Sequence, residues 1–100
     1  MSYKHRIDAR TDANQKSIVK QLRQIPGVSV EINHDDILCG YRKKTFWYEI
    51  KRPELKKKKS EGYRKGSIKK SQERLLNDWN GHFLIVSTIE EILEDMGISI

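Results

Sequence analysis

Three charged side chains occupy hairpin positions at which a half-buried sheet usually carries apolar residues. The stretch "DDILCGYRKKTFWYEIKRPE", residues 35–54, alternates as two strands joined by a turn, and the three residues are Asp36, Glu49 and Lys51. With a two-residue turn at Lys43–Lys44, side-chain alternation places all three on one face, with Asp36 opposite Lys51. Asp36 and Glu49 are then diagonal neighbours about 7–8 Å apart at the backbone, so both carboxylates could reach one ion.

The opposite face of this hairpin is predicted to be apolar throughout. Its residues pair as Ile37 with Ile50, Cys39 with Tyr48, and Tyr41 with Phe46. A slip by one residue would separate the two carboxylates and turn the apolar residues toward solvent, so the interpretation depends on this register.

Two carboxylates and a lysine in this arrangement suit metal-assisted hydrolysis. Mg²⁺ takes oxygen ligands at about 2.0–2.1 Å and is usually bound by one or two carboxylates, waters and substrate phosphate oxygens. Asp36, Glu49 and the backbone carbonyl of Ile50 are the expected ligands. The ion would polarise a phosphate and lower the pKa of an attacking water, and Lys51 would orient that water and stabilise charge on the phosphorus.

A plainer explanation for the same residues is an exposed ion pair across the strands. Such a pair between Asp36 and Lys51 would contribute about 0–1 kcal/mol to folding, and Glu-x-Lys by itself is common on solvent-facing strands. The aspartate thirteen residues upstream of Glu49, on a matching hairpin, favours the catalytic interpretation.

The elements that must position these residues follow from hydrophobic periodicity. A helix is predicted from Thr11 to Ile25, capped by Asp12 and ended by Pro26–Gly27. The remaining elements are a strand at 28–32 with Val28, Val30 and Ile32 on one face, the hairpin, a loop at 52–68, a helix from Lys69 to Trp79, a central strand at 82–87, and a helix "IEEILEDM" capped by Thr88 and ended by Gly97. This order predicts a single α/β domain over residues 1–100, a mixed sheet flanked by helices with a C-terminal helix.

Two amides stand among apolar residues on the predicted helices. The inward stripe of the second helix consists of Ile68, Leu75, Leu76 and Trp79. Gln72 lies within that stripe, and Asn14 lies one turn before Ile18 on the first helix. Each could simply bond a nearby backbone group. Alternatively both border the metal centre, where Gln72 would orient a water or a ligand and Asn14 would act through a water.

The charge of the chain is concentrated in one segment. Its 100 residues carry 20 Lys and Arg against 14 Asp and Glu, a net charge of +6, and residues 42–74 alone hold fourteen basic and four acidic side chains. Such a stripe predicts a polyanionic partner, nucleic acid first, although a solvated lysine loop that keeps the protein soluble also explains the charge. The loop at 52–68 is expected to be mobile and to contact phosphates. The expected DNA contacts are Lys56, Lys57, Lys58, Lys59, Arg64, Lys65, Lys69 and Lys70.

Cysteine usage and hydropathy favour a cytoplasmic protein. Cys39 is the single cysteine, which excludes an internal disulfide and a cysteine-built zinc site and fits a reducing compartment. No apolar run approaches the roughly 20 residues of a membrane-spanning helix, and the start "MSYKHRIDAR" lacks the apolar segment of a signal peptide. We therefore expect no membrane association.

The order of these residues resembles a known family. Asp36, then Glu49-Ile50-Lys51, then Gln72 on a following helix is similar to the PD-(D/E)xK nuclease superfamily, and more narrowly to the stand-alone VRR-NUC proteins encoded by phages. The supporting stretches are "RTDANQKSIVKQLR", "DDILCGYRKKTFWYEIK" and "SQERLLNDWNGHFLIVSTIEEILEDMG". The resemblance implies a restriction-endonuclease-like αβββαβ core and a Mg²⁺- or Mn²⁺-dependent DNA endonuclease. It also implies cutting of branched DNA such as Holliday junctions, a homodimer, and a phage or bacterial origin.

The chain departs from the superfamily pattern at two positions and in one segment. Asp35 stands where the superfamily often has proline, which shapes the start of the strand and should matter little for chemistry. Asn14 stands where many members carry a metal-binding glutamate, so we expect Asn14 to support the centre rather than to ligate the metal directly. The loop at 52–68 matches no known motif.

Two other classes of function remain open on the sequence. A nucleic-acid-binding module without catalysis accounts for the charge and would use Trp47 or Tyr63 for stacking. It leaves the carboxylates unexplained, because they repel phosphate unless a cation intervenes. A protein-interaction domain would use "EEILED" as an acidic surface, although a capped amphipathic terminal helix is more often core packing. For a homodimer, the apolar residues left for an interface include Trp47, Ile98 and Ile100.

Overall fold

The chain folds as an α/β structure in which four strands form one sheet. The computed structural model describes residues 3–33, 36–53 and 68–99, and their side chains from Ala13 onward. The elements in chain order are α1 (Tyr3–Arg23), β1 (Val28–Asn33), β2 (Asp36–Tyr41), β3 (Lys44–Ile50), α2 (Lys70–Asp78), β4 (Leu84–Val86) and α3 (Ile89–Met96). The predicted order of helices and strands, an αβββαβ core followed by a C-terminal helix, is confirmed.

The sheet is mixed and its strands follow chain order. Strands β1, β2 and β3 are antiparallel neighbours, and β4 lies parallel to β3 at the end of the sheet. The prediction of a central position for this last strand is therefore wrong. Its continuous apolar run has another cause, because both faces of β4 are covered: Ile85 is 7% exposed and Val86 is fully buried.

The hairpin turn lies one residue earlier than the sequence pattern suggests. Arg42 and Lys43 both have positive φ, at 53° and 66°, which is the signature of a type I′ turn, and Tyr41 pairs with Lys44. This turn matches the right-handed twist of the flanking strands. The Asn-Gly pair that usually marks such a turn is absent here, so the prediction of the turn at Lys43–Lys44 is wrong by one residue.

The corrected turn moves β3 by two residues along β2 and so preserves both faces. An even shift keeps each side chain on its own side of the sheet, but the predicted partners change. Asp36 lies opposite Glu49 rather than Lys51, and Ile37 lies opposite Tyr48 rather than Ile50.

One face of the sheet carries the hydrophobic core, which α1 and α3 cover. The buried cluster consists of Ile18, Val19, Leu22, Val30, Ile37, Cys39, Tyr48, Ile50, Val86, Ile92 and Met96. Burial raises the pKa of the Cys39 thiol to about 11, so this residue is a packing group that stays protonated at neutral pH. Ile32, predicted to share a face with Val28 and Val30, is 49% exposed because it lies near the end of an edge strand, beside an open groove against α1.

The first helix begins well before its predicted start. Helix α1 extends from Tyr3 to Arg23, so Asp12 lies inside it and is not an N-cap. The residues around Thr11 imitate a capping box, but no Gly or Pro precedes them to stop the helix from continuing upstream. The chain leaves the helix through Gly27, whose φ of 86° is in the left-handed region.

The second helix packs differently from its predicted stripe. Gln72 is buried, whereas Leu76 and Trp79 are 45% and 51% exposed. The contact between Trp79 and Trp47 of β3 places the end of α2 over the face of the sheet opposite the core. Helix α2 therefore uses a polar residue, not a continuous apolar stripe, at its buried side.

The C-terminal helix has the predicted ends. The Thr88 hydroxyl accepts a hydrogen bond from the Glu91 N–H at 3.3 Å, and the Glu91 carboxylate accepts one from the Thr88 N–H at 3.1 Å. Gly97 ends the helix in the left-handed conformation, with φ 78°. This capping box and glycine stop are confirmed.

The helices of the three described ranges lack the combination of length and apolar content that a bilayer crossing would require.

Glycine substitutions at the turn test its position. Arg42→Gly should raise the free energy of unfolding by about 1 kcal/mol, because glycine removes the cost of a left-handed backbone at that residue, whose φ is 53°. Lys44→Gly should lower it by about 0.5–1 kcal/mol, because Lys44 lies in the extended strand. Urea denaturation of both variants measures the two changes. Stabilisation by Lys44→Gly but not by Arg42→Gly would restore the turn predicted from the sequence.

Candidate active site

The two carboxylates predicted to share a metal lie directly opposite each other. Asp36 is the first residue of β2 and pairs with Glu49, the penultimate residue of β3. Directly opposed residues have Cβ atoms about 4.5–5.5 Å apart, closer than the predicted diagonal pair. Glu49 is only 6% exposed, whereas Asp36 is partly exposed. The pair thus has one buried and one accessible carboxylate.

Lys51 lies on the same side as this pair and next to Glu49. Its Nζ is 3.9 Å from Oε2 of Glu49, and the two side chains are 11% and 8% exposed. The backbone N–H of Lys51 donates to the Val86 carbonyl at 2.8 Å, so strand β4 holds the main chain at this point. A nearby opposite charge offsets part of the cost of burying the glutamate.

Trp47 orients the aspartate, a role that sequence reasoning missed. Its indole Nε1 donates to Oδ2 of Asp36 at 2.8 Å. The ring makes edge contacts with Phe83 and Trp79, at centroid distances of 4.9 and 5.7 Å. The signal was present in the sequence, because Trp47 and Glu49 are two residues apart on one strand and a half-buried indole N–H requires an acceptor.

The Asn14 side chain bonds the backbone at the ends of two strands. Its side-chain amide donates to the carbonyl oxygens of Lys51 and Ser87, at 3.1 and 3.2 Å. These carbonyls follow β3 and β4, so helix α1 ties together the ends of the two parallel strands. This is the plainer of the two explanations offered for Asn14. The bond places its amide directly against the main chain of Lys51, and a contact of Asn14 with the metal centre through a water stays a prediction.

Gln72 caps its own helix. Its side-chain oxygen accepts a hydrogen bond from the backbone N–H of Lys69 at 3.1 Å, which satisfies a donor before the first turn of α2. This capping bond is a sufficient structural reason for a buried polar side chain at position 72. The predicted role of Gln72 in orienting a water or a ligand stays a prediction.

Only part of the predicted DNA-contacting set lies in the described residues. Lys69 and Lys70 are exposed at the start of α2. The other six cations, at positions 56–59, 64 and 65, lie outside the described ranges, as does most of the predicted loop at 52–68. Exposed cations also occupy the hairpin turn, at Arg42, Lys43 and Lys44.

A second polar cluster lies at the edge of the core between β3 and α3. Oδ2 of Asp95 accepts the Tyr48 hydroxyl at 2.6 Å and lies 2.6 Å from Nε2 of His82. The backbone N–H of Trp47 donates to Nδ1 of His82 at 2.9 Å, so Nδ1 is an acceptor and Nε2 carries the proton that faces Asp95. Burial and the bond to Asp95 raise the pKa of Tyr48 far above its usual range. Through the bond to His82, β3 is also joined to the chain segment just before β4.

The oxygen atoms of the carboxylate pair suit a hard cation such as Mg²⁺ or Mn²⁺ better than a softer metal such as Zn²⁺ or Cu²⁺. Across the part of the chain that the structure describes, no group of three or more His, Cys, Asp or Glu side chains could hold a metal ion. Mg²⁺ does not need such a group, because it keeps several waters and takes one or two carboxylates. An ionised aspartate has two oxygens and about four acceptor sites, so the bond from Trp47 leaves Asp36 able to bind an ion. The Ile50 carbonyl, between Glu49 and Lys51 in the chain, stays a predicted further ligand.

Comparisons with protein-family models, curated proteins and solved structures find no match to this chain. The resemblance to the PD-(D/E)xK superfamily therefore stays a prediction based on the motif residues.

The Asn14 contacts predict a local contribution to stability. Asn14→Ala removes two hydrogen bonds and leaves two carbonyls at the strand ends without this donor, so the free energy of unfolding should fall by about 1–3 kcal/mol. The control is Gln21→Ala on the same helix, whose exposed amide bonds Ser17 one turn away; this variant should change stability by less than about 0.5 kcal/mol. Urea denaturation compares the two. Equal effects would show that Asn14 does not tie the strands together.

Proposed function

We propose that the protein is a divalent-metal-dependent DNA endonuclease that cuts branched DNA. The observation that supports this most is the direct opposition of Asp36 and Glu49 beside Lys51, on a sheet face away from the core. An ion pair between Asp36 and Lys51 across the strands, the plainer explanation from sequence, is not supported, since Asp36 faces Glu49. Two acidic groups facing each other repel, and a bound cation would remove that repulsion.

Each residue of the centre has a defined task in phosphodiester hydrolysis. Asp36 and Glu49 would hold Mg²⁺ or Mn²⁺, with the Ile50 carbonyl as a further ligand. The chemistry that such an ion supplies is polarisation of the phosphate and a lower pKa for the attacking water. Lys51 would orient that water and stabilise negative charge on the phosphorus. Trp47 would fix the orientation of Asp36 through its indole N–H.

Symmetric cutting of a four-way junction supports the proposal of a homodimer. Each chain would supply one centre, and a twofold axis would relate the two centres as it relates the strands of the junction. Two of the residues suggested for the interface are already engaged within the chain, since Trp47 bonds Asp36 and Ile98 packs against the core. A protein that acts on phage or bacterial DNA would work in the cytoplasm, where the buried free thiol of Cys39 would also be stable.

Metal binding by the carboxylate pair can be measured directly. Titration calorimetry with Mn²⁺ should show binding that Asp36→Ala abolishes and that Glu49→Gln weakens at least tenfold, because each variant removes a charged ligand. Glu31→Gln is the matched control, since Glu31 is an exposed carboxylate on the same sheet face and should not affect the titration. Unchanged Mn²⁺ affinity in Asp36→Ala would contradict the site.

Substitution of two lysines of the same hairpin distinguishes a nuclease from a protein that only binds DNA. Lys51→Ala should slow single-turnover cleavage of branched DNA by about 10²–10³-fold with little change in affinity, because Lys51 acts mainly in the transition state. Lys44→Ala removes the same charge from an exposed position at the other end of β3 and should leave the rate unchanged. If the parent protein shows no Mg²⁺-dependent cleavage of branched or linear DNA, it is a binding module and not a nuclease.

A further inference from the structure

Trp79 is a large apolar side chain that is exposed and yet held rigidly. It is 51% exposed. Its indole Nε1 donates to the His82 carbonyl at 3.2 Å, and its ring meets Trp47 edge to face at an interplanar angle of 87°. The ring also packs over Gly81, where an added Cβ would lie 2.7 Å from Nε1. Three separate contacts thus fix an indole that the fold does not bury.

This indole lies one side chain away from the carboxylate pair. Trp47 contacts both groups: its Nε1 bonds Asp36, and its ring touches Trp79. Leu38, directly opposite Trp47 in the sheet, is also partly exposed, at 42%. A ligand on Trp79 would therefore lie beside the accessible carboxylate of the proposed centre.

The exposed apolar area here is too small for a stable protein partner. Even a fully exposed tryptophan offers at most about 250 Å², so the exposed parts of Trp79, Leu76 and Leu38 sum to a few hundred Å² at most. A specific protein interface needs about 800 Å² from each side. The area instead matches a small planar ligand whose ring is about as large as the exposed part of the indole.

The charge of the surroundings favours a nucleobase as that planar ring. The basic stretch 42–74, with fourteen cations against four acidic groups in the sequence, ends on helix α2, whose C-cap residue is Trp79. Lys69, Lys70 and Arg74 of this stretch are exposed on or beside α2 and would attract the phosphates of the strand that bears the base. Rigid aromatic rings next to a basic surface are the usual stacking sites for unpaired bases.

We propose that Trp79 is a stacking platform for an unpaired nucleobase next to the strand that the protein cuts. The position of the platform next to the cut strand rests on the proposed nuclease function. The binding of an unpaired base by Trp79 does not depend on that function. Among branched DNAs the platform favours those with unpaired bases beside a duplex, such as a flap, a single-stranded tail or a four-way junction with open pairs at its centre, over an unbranched duplex whose bases are all paired. Trp47, which sequence reasoning offered for stacking, is instead the link between this platform and Asp36.

Two DNA probes and four proteins test the platform. The probes are a duplex with a single-stranded thymidine tail and a blunt duplex of equal length, and their affinities are measured in EDTA. Trp79→Ala should weaken binding of the tailed duplex roughly 5- to 150-fold and that of the blunt duplex by less than about twofold. Trp79→Phe should retain most of the preference for the tail, because it keeps a ring. Leu76→Ala, which removes another exposed apolar side chain of α2, should behave like the parent.

Tryptophan fluorescence provides a second test in which Trp79 itself is kept. An oligothymidine should quench tryptophan emission, and the quenching should persist in Trp47→Phe, where Trp79 is the remaining tryptophan. Absence of quenching there, or equal loss of affinity for both duplexes in Trp79→Ala, would overturn the proposal. Dissociation of a dimer by Trp79→Ala with unchanged affinity for DNA would also overturn it, because the indole would then be a subunit contact.

The outcomes for the platform and for the nuclease can be separated. Selective loss of tail binding in Trp79→Ala supports the platform even if the parent does not cleave DNA, in which case the nuclease proposal alone fails. Cleavage by a parent that shows no preference for the tailed duplex would leave the nuclease intact and overturn the platform.

Discussion

The pairing of residue 36 with residue 49 across the central hairpin is the constraint on which the proposed site depends. The I′ turn at Arg42–Lys43 determines that pairing, because it sets which residues of β2 and β3 face each other. Since side chains alternate along a strand, the same turn places Trp47 and Glu49 on the face of Asp36. One more residue in the turn would bring Glu49 to the core face and expose the apolar residues between.

The groups around the carboxylates are held by the packing that stabilises the fold. Asn14 belongs to α1, whose apolar side covers the core, and it ties the strand ends beside Lys51. The Lys51 N–H bonds the Val86 carbonyl of a buried strand, and Trp47 is packed between aromatic rings. The charged side chains thus project from rigid elements, which is what a hydrolytic centre requires of its ligands.

Sequence periodicity predicted the helices, the strands and the faces of the hairpin. It could not predict the contacts between residues that are far apart in the chain. The alternation of the hairpin placed Asp36 and Glu49 on one face even though the turn was wrong, because an error of two residues leaves the faces unchanged. The bonds of Asn14 span 37 and 73 residues along the chain, and no local pattern encodes such distances. The exposed Trp79 was predicted to point inward because helical spacing shows which residues share a side of α2, but not how that side is tilted against the sheet.

The measurement that tests the central claim most directly is a crystal structure grown with Mn²⁺, read from the anomalous signal of the metal. The account predicts one peak between Asp36 and Glu49, with carboxylate oxygens from both residues at coordination distance of about 2.1 Å. The same peak should be missing in Asp36→Ala crystals. A chain that crystallises with Mn²⁺ elsewhere, or with Lys51 and Glu49 paired and no metal between the two carboxylates, would contradict the account.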